Sequence, residues 1–200
     1  MIVFGASGHG KVIIEILENI HTPHIEIWDD AAKPPVWEYE VKKPRADLAV
    51  TDTIVIAIGV NATRKKVADK LAGVAVFGTA IHSAAFVSPR ATIGEGTVIM
   101  AGATINADTK VGKHCIINTS ASIDHDCVLG DYVHISPNAT LSGDVQVGEG
   151  THIGSGASTI QGIRIGKWCN IGAGAVIIRD IPDYATAVGN PAKVIKVKNS

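Results

Sequence analysis

Between Val87 and Ile177 one hydrophobic register recurs at every sixth residue: Val87, Ile93, Ile99, Ile105, Val111, Ile117, Ile123, Leu129, Ile135, Leu141, Val147, Ile153, Thr159, Ile165, Ile171 and Ile177. All are aliphatic except Thr159. Two places before each stands a small or compact residue, as at Ala85, Ala91, Thr97, Ala103, Cys115, Ala121, Cys127, Ala139 and Cys169. Glycine often follows the aliphatic, as at Gly94, Gly112, Gly130, Gly148, Gly154, Gly166 and Gly172. Two registers held in phase over this length form a hexapeptide repeat. Both point into one narrow core, so each hexad is a short strand of a parallel β-helix, with three hexads making a coil of about eighteen residues and about five coils in all. No insertion disturbs the phase. Any site on this part of the chain is therefore assembled from coil edges and neighbouring subunits.

The first eighty residues have a different pattern. Ile2-Val3-Phe4 is a short apolar run ending in Gly5-Ala6-Ser7-Gly8-His9-Gly10, and a helical stretch, Lys11 to Glu18, follows. A second strand, Ile25 to Trp28, ends in Asp29-Asp30, and the stretch 31–47, with Pro34, Pro35 and Pro44, reads as an irregular connection holding a short edge strand. The unbroken apolar run Ile54 to Ile58 predicts a buried parallel strand. It ends at Gly59, where Asn61-Ala62-Thr63-Arg64 opens a helix, and Val74 to Phe77 is the last strand. Alternating strands and helices predict a small open parallel sheet with its ligand beyond the carboxyl ends of the strands. Gly5 to Gly10, Asp29-Asp30 and Gly59 to Asn61 all lie at such ends and converge on one crevice. The spacing G-x-x-G-x-G is not the dinucleotide fingerprint, yet an acid about twenty residues past such a turn is where a ribose hydroxyl is held. The fold class expected is therefore a small Rossmann-like N-terminal domain, residues 1–80, followed by a β-helix domain, residues 81–200.

Composition narrows the partners. A formal charge of −1 and a pI of about 6.7 give no electrostatic reason to expect nucleic acid or an anionic membrane. No apolar run approaches the roughly eighteen residues of a membrane span, and no signal-peptide pattern opens the chain, so a cytoplasmic protein is expected. Cys115, Cys127 and Cys169 stand in the small-residue register, where packing accounts for them without metal or redox chemistry.

His125 stands out on the repeat. It follows the core Ile123 by two places, points outward and lies between Asp124 and Asp126. A carboxylate beside an imidazole orients its tautomer, and a histidine titrating near neutral pH can take a proton from an attacking amine or hydroxyl. Gly143 lies one coil on, on the same edge, leaving room for a thioester and offering a backbone N–H to an oxyanion. His134 and His152 are likewise one coil apart on another edge, with His152 expected at the surface.

The hexad, the opening G-A-S-G-H-G, Asp29-Asp30, Ile58-Gly59-x-Asn61, the segment from Asn118 to Cys127 and Gly189-Asn190-Pro191-Ala192-Lys193 together resemble the PglD/NeuD-type sugar acyltransferases of the left-handed β-helix superfamily. The resemblance covers the whole chain. It implies a left-handed β-helix, a homotrimer, acetyl-CoA as co-substrate with no metal, and a nucleotide-linked amino sugar as acceptor. It implies Ser7, Gly8, His9, Asp29, Asp30 and Gly59 as substrate-binding residues. His125 matches the family's general base and Asp126 its acidic partner, although that partner is glutamate in the PglD branch, and the shorter Asp126 leaves Asp124 as an alternative. His134 matches an acetyl-CoA contact. Gly143, Ser155 and Ala173 line the expected path of the cofactor, where Gly154-Ser155-Gly156 and Gly172-Ala173-Gly174 let pantetheine approach the backbone. Arg179, Lys193 and Lys196 offer charge to its phosphates. Three alternatives remain open: O-acetylation of sialic acid or its nucleotide, a zinc hydratase of the γ-carbonic anhydrase type, and a non-catalytic scaffold.

Overall fold

A computed structural model describes residues 1–45 and 53–198; the last part of the connection read at 31–47 lies outside the described residues. The N-terminal sheet contains β1 (Ile2–Phe4), β2 (Glu26–Trp28), β3 (Val41–Lys42), β4 (Thr53–Ile56) and β5 (Val76–Phe77), in the order β3-β2-β1-β4-β5 and parallel throughout. Helix α1 (Gly8–Asn19) joins β1 to β2, and α2 (Asn61–Leu71) joins β4 to β5. The central strands are buried on both faces, as their unbroken apolar runs require. Helix α1 is buried on two sides as well: Ile13, Ile14, Ile16 and Leu17 share one cluster with Val3 and Val55 of the sheet and with Val98, Met100 and Ile116 of the repeat.

From Ala80 onward the chain is a parallel β-helix with three faces. The first face stacks Ala80–Ile81, Val98–Ile99, Ile116–Ile117, His134–Ile135, His152–Ile153, Asn170–Ile171 and Ala185–Val188, and the antiparallel strand Lys193–Val197 closes its end. The second stacks six strands from Phe86–Val87 to Val176–Ile177, and the third stacks five from Thr92–Ile93 to Arg164–Ile165. Successive rungs pair residues eighteen apart in sequence, for example Ile105 with Ile123 and Ile123 with Leu141. The aliphatic register fills the interior, where Ile105, Ile123, Leu141, Ile153 and Ile177 are fully buried.

The small register does more than fill space. Thr97, Thr109 and Thr151 donate their hydroxyls to the carbonyls of Gly112, Asp124 and Gly166 on the next coil, at 2.9, 2.7 and 2.7 Å. Cys115, Cys127 and Cys169 are buried free thiols that point at Gly130, Ser142 and Pro182 carbonyls in the same way. Burial pushes the Cys115 thiol up to about 12 and that of Cys127 to about 11, so neither is a thiolate at neutral pH.

The turns repeat as strictly as the strands. From Ile93 to Ile171 the third residue after each register position adopts a left-handed backbone, and Asp108, His114, Ser120, Asp126, Tyr132, Asn138, Asp144 and Trp168 occupy it alongside glycines. The glycine directly after the aliphatic has another cause. A Cβ at Gly154 would lie 2.6 Å from the backbone N of Ala173, so that residue is small to let coils stack, whereas Gly156, at φ 66°, is the one that makes the turn.

Candidate active site

The strand ends of the N-terminal sheet open onto a cavity of about 400 Å³ lined by Ser7, His9, Asp29, Asp30, Gly59 and Val60. Gly5 and Gly10 are needed to build it, since a Cβ on either would run into the Ala57 or Gly5 carbonyl. Gly8 and Gly59 are not: a Cβ at either meets nothing within 4 Å, so their small size leaves space for a ligand. Asp29 braces the glycine-rich loop, accepting the Ala6 N–H on one oxygen and the Ala31 N–H on the other, both at 2.9 Å. Asp30 makes no hydrogen bond of this kind among the described residues and is exposed. Burial, reinforced by the nearby Arg64 charge, brings the His9 imidazole down to about 4, and its Nε2 is buried with no hydrogen-bond partner. A neutral ring with an unpaired nitrogen beside an open cavity awaits a polar ligand group.

The floor of that crevice is anchored by Arg64, which is 1% exposed. Its Nε donates to the His114 carbonyl at 2.8 Å, Nη1 to those of Ile58 and Gly59 at 2.9 and 3.2 Å, and Nη2 to Asn61 Oδ1 and the Tyr132 carbonyl at 2.9 and 2.8 Å. Asn61 Nδ2 reaches the Gly150 carbonyl at 3.0 Å. The loop from Ile58 to Asn61 is thereby tied to the edge between the third and first faces. Past it lies a larger cavity of about 650 Å³, which shares Gly59 and Val60 with the crevice and is lined further by His134, His152, Trp168 and Tyr184.

His134 is held by the protein through both ring nitrogens. Its Nε2 lies 3.0 Å from Asn118 Nδ2, and the ring also hydrogen-bonds the Gly59 backbone. Burial first, then the neighbouring His152 and Arg64, lowers it to about 3, so it is neutral. His152 corrects the expectation of a surface residue. It is half-buried in the wall of that cavity, its ring lies 4.9 Å from that of His134, and burial lowers its pKa too.

The second-to-third edge carries His125. Its Nδ1 lies 2.8 Å from Asp126 Oδ2, so the shorter acid does reach the ring. The left-handed backbone at Asp126, φ 61°, turns that carboxylate back toward its neighbour. Asp124 instead fixes the turn, accepting the His125 N–H at 2.8 Å and Asn106 Nδ2 at 2.9 Å. The His125 pKa is raised, by the Asp126 hydrogen bond first and then by the charge of Asp124. On the next coil Gly143 stands against the imidazole, and its N–H donates to no acceptor among the described residues. An oriented imidazole with a free Nε2, beside a free backbone N–H, can accept a proton and stabilise an oxyanion within one small space.

The residues singled out from sequence thus fall in separate places on one protomer. Ser7, His9, Asp29, Asp30 and Gly59 share the crevice, with Gly8 beside it at the start of α1. His134 lies on the first face, and His125, Asp126 and Gly143 lie on the second-to-third edge. Ser155 and Ala173 stack on the first-to-second edge, at turns whose Gly156 and Gly174 leave open space outside. Trp168 and Tyr184 escaped the sequence reading, as did the anchoring role of Arg64 and Asn61. Among the described residues, no group of three or more His, Cys, Asp or Glu side chains is placed to hold a metal ion, and no helix is long and apolar enough to cross a membrane.

Comparison with known proteins agrees with this architecture. Residues 1–71 match the PglD N-terminal domain, and residues 90–125 and 108–143 match the bacterial transferase hexapeptide (six repeats). The acetyltransferase domain of PglB from Neisseria gonorrhoeae, solved with acetyl coenzyme A, is 40% identical and superposes with a TM-score of 0.92, covering 97% of this chain and 98% of that one. PerB from Caulobacter crescentus, solved with CoA and GDP-perosamine, is 40% identical with a TM-score of 0.90 over 98% of this chain and 96% of its own. WeeI from Acinetobacter baumannii is 28% identical with a TM-score of 0.88, covering 97% and 98%. A comparison with curated proteins gave no match. On this full-length likeness the chain belongs to the PglD-type sugar acyltransferases of the hexapeptide-repeat superfamily.

Proposed function

We propose that the protein is an acetyl-CoA-dependent N-acetyltransferase acting on the amino group of a nucleotide-linked amino sugar, with His125 as general base. The observation that carries this reading is the Asp126–His125–Gly143 arrangement, in a chain 40% identical to an acetyltransferase domain solved with acetyl coenzyme A and to PerB solved with CoA and GDP-perosamine. Ser7, Gly8, His9, Asp30 and Gly59 hold the nucleotide, with Asp29 keeping the loop in shape. The amine nitrogen attacks the thioester carbonyl carbon, the new C–N bond forms and the C–S bond breaks. His125 Nε2 takes the amine proton and returns it to the departing sulfur, so CoA leaves as the thiol. The Gly143 N–H stabilises charge on the carbonyl oxygen. His134, Ser155 and Ala173 line the path of the acetyl donor.

The reading requires more than one copy. The crevice flanks the third-to-first edge and His125 sits on the second-to-third edge, so one protomer keeps substrate and base apart. A homotrimer that sets the crevice of one copy against His125 of the next brings them together. On this reading the reaction takes place in the cytoplasm. The test is thiol release from acetyl-CoA with UDP- and GDP-linked 4-amino sugars and with CMP-sialic acid. Release with an amino sugar is expected; no release with any of them, or release with CMP-sialic acid alone, overturns the reading.

A further inference from the structure

We propose that His152 is a ligand-binding residue that donates a hydrogen bond to the acyl-pantetheine arm of acetyl-CoA, and that Ser136 is the positioning residue that fixes its tautomer. The inference rests on the acetyltransferase reading and goes beyond it to residues that reading leaves unused.

Pairing every proton in these hydrogen bonds assigns the free nitrogen of each stacked histidine. Asn118 Oδ1 accepts the Thr119 N–H at 2.8 Å, so its amide nitrogen is the group facing His134, and His134 Nε2 must accept. The other nitrogen of His134 then carries the proton that goes to the Gly59 backbone carbonyl. Both nitrogens of His134 are spent within the protein. One coil on, Ser136 takes the place of Asn118 and His152 that of His134. Ser136 is 4% exposed, and its hydroxyl lies 2.7 Å from His152 Nε2 with no other acceptor among the described residues. Donation to Nε2 is the one arrangement that pairs the hydroxyl proton, and it leaves the ring proton on Nδ1. That Nδ1–H has no protein partner among the described residues, is not a buried unpaired atom, and belongs to a ring lining the 650 Å³ cavity. The repeated pair thus has one closed member and one open one.

The shape of the cavity points to a linear ligand. His134, His152 and Asn170 are successive partners up the first face, and rungs stand roughly 4.8 Å apart, so the ladder is about 10 Å long. Gly59 and Val60, at its lower end, belong to the nucleotide crevice, and Lys198 stands among the residues that line the cavity, with the turn residue Trp168 and Tyr184 along its flank. An acyl-pantetheine chain is narrow, carries amide and thioester carbonyls that accept hydrogen bonds, and ends in phosphates that suit a cation. A donor halfway up the ladder meets such a carbonyl.

The test uses the full-length protein and CoA, with binding read by calorimetry and by fluorescence of Trp168, a Trp168→Phe variant serving as the optical control. His152→Phe keeps a ring against His134 but removes the donor; Ser136→Ala leaves the donor but frees the tautomer. We expect the Kd for CoA and the KM for acetyl-CoA to rise about tenfold in His152→Phe and about threefold in Ser136→Ala, the loss of one hydrogen bond and of its bias. The KM for the nucleotide sugar stays within twofold of wild type. Unchanged CoA affinity in both variants, in a protein that binds CoA as wild type, overturns the role of His152 alone. Equal weakening of CoA and nucleotide-sugar binding overturns it too, as a general structural effect. Failure of the wild type to bind CoA overturns the acetyltransferase reading itself.

Discussion

A Cβ built on Gly143 would stand 2.8 Å from His125 Nε2, closer than a Cβ packs against any neighbouring atom. Gly143 does not need its glycine for backbone reasons, because its φ is not in the left-handed region. Its missing side chain leaves space for the imidazole one coil away, whose Nε2 the proposed mechanism uses.

Gly143→Ala is therefore expected to spare the fold and damage the chemistry. The atoms in the way belong to the exposed end of a side chain that can swing aside, so Tm should stay within a few degrees. Swinging aside breaks the alignment of base and substrate, and kcat should fall by about tenfold or more. Steady-state kinetics beside a thermal melt check both halves.

The pH profile carries a signed prediction. The Asp126 hydrogen bond, with help from Asp124, raises the His125 pKa above its ordinary 6.5, and a base works only when unprotonated. Activity should rise with pH through a limb above 6.5 and level off beyond it. Asp126→Asn removes the largest cause, so the limb should move toward lower pH while the plateau drops. Profiles of kcat/KM for both proteins measure the shift.

Stability should also respond to acid, through different residues. His9 and His134 are half-buried and neutral, with folded values of about 4 and about 3 against an ordinary 6.5. A depressed folded value means the unfolded chain binds the extra proton, so the stability is fully present above 6.5 and is lost as pH falls toward those lower values. Each contributes a slope of about 1.4 kcal/mol per pH unit in that window. Thermal melts from about pH 7 to about pH 4 should show Tm falling from near 6.5, and His9→Gln should flatten the fall.

Arg64 is the test of how the two parts of the chain are held together. Its donors satisfy four backbone carbonyls and Asn61, with no carboxylate among these partners. Arg64→Met leaves those buried carbonyls unpaired and should cost about 3 kcal/mol or more, lowering Tm by roughly 10 °C. Hydrogen exchange at Gly59 to Asn61 should accelerate with it.

This anchoring marks the limit of what the residues alone disclose. The hexad core was legible because inward positions recur locally at a fixed period, and the crevice because glycines and acids cluster at predicted strand ends. Arg64 was not, since its partners are main-chain carbonyls 50 and 68 residues away that no side-chain pattern betrays. His152 was visible as the residue one coil beyond His134, but the cavity it shares with Gly59 and Val60 depends on where the N-terminal loop meets the first face. The Asp126–His125 contact depends on a left-handed turn at Asp126, which residue type alone does not specify.

Two crippled proteins should rescue each other. Gly59→Trp blocks the crevice without meeting a neighbouring atom at its Cβ, and His125→Ala removes the base. If each site joins two copies, then in an equal mixture half of the sites carry an open crevice, and half of those carry an intact base. About a quarter of wild-type activity should return in mixed trimers. A site held within one protomer would return none.

The most direct measurement is acetyl transfer from acetyl-CoA to a nucleotide-linked 4-amino sugar by the wild type and by His125→Ala, with the assembled mass recorded for both. The proposed mechanism predicts transfer by the wild type and a loss of about a hundredfold or more in His125→Ala at unchanged mass. Near-full activity without His125 would contradict it.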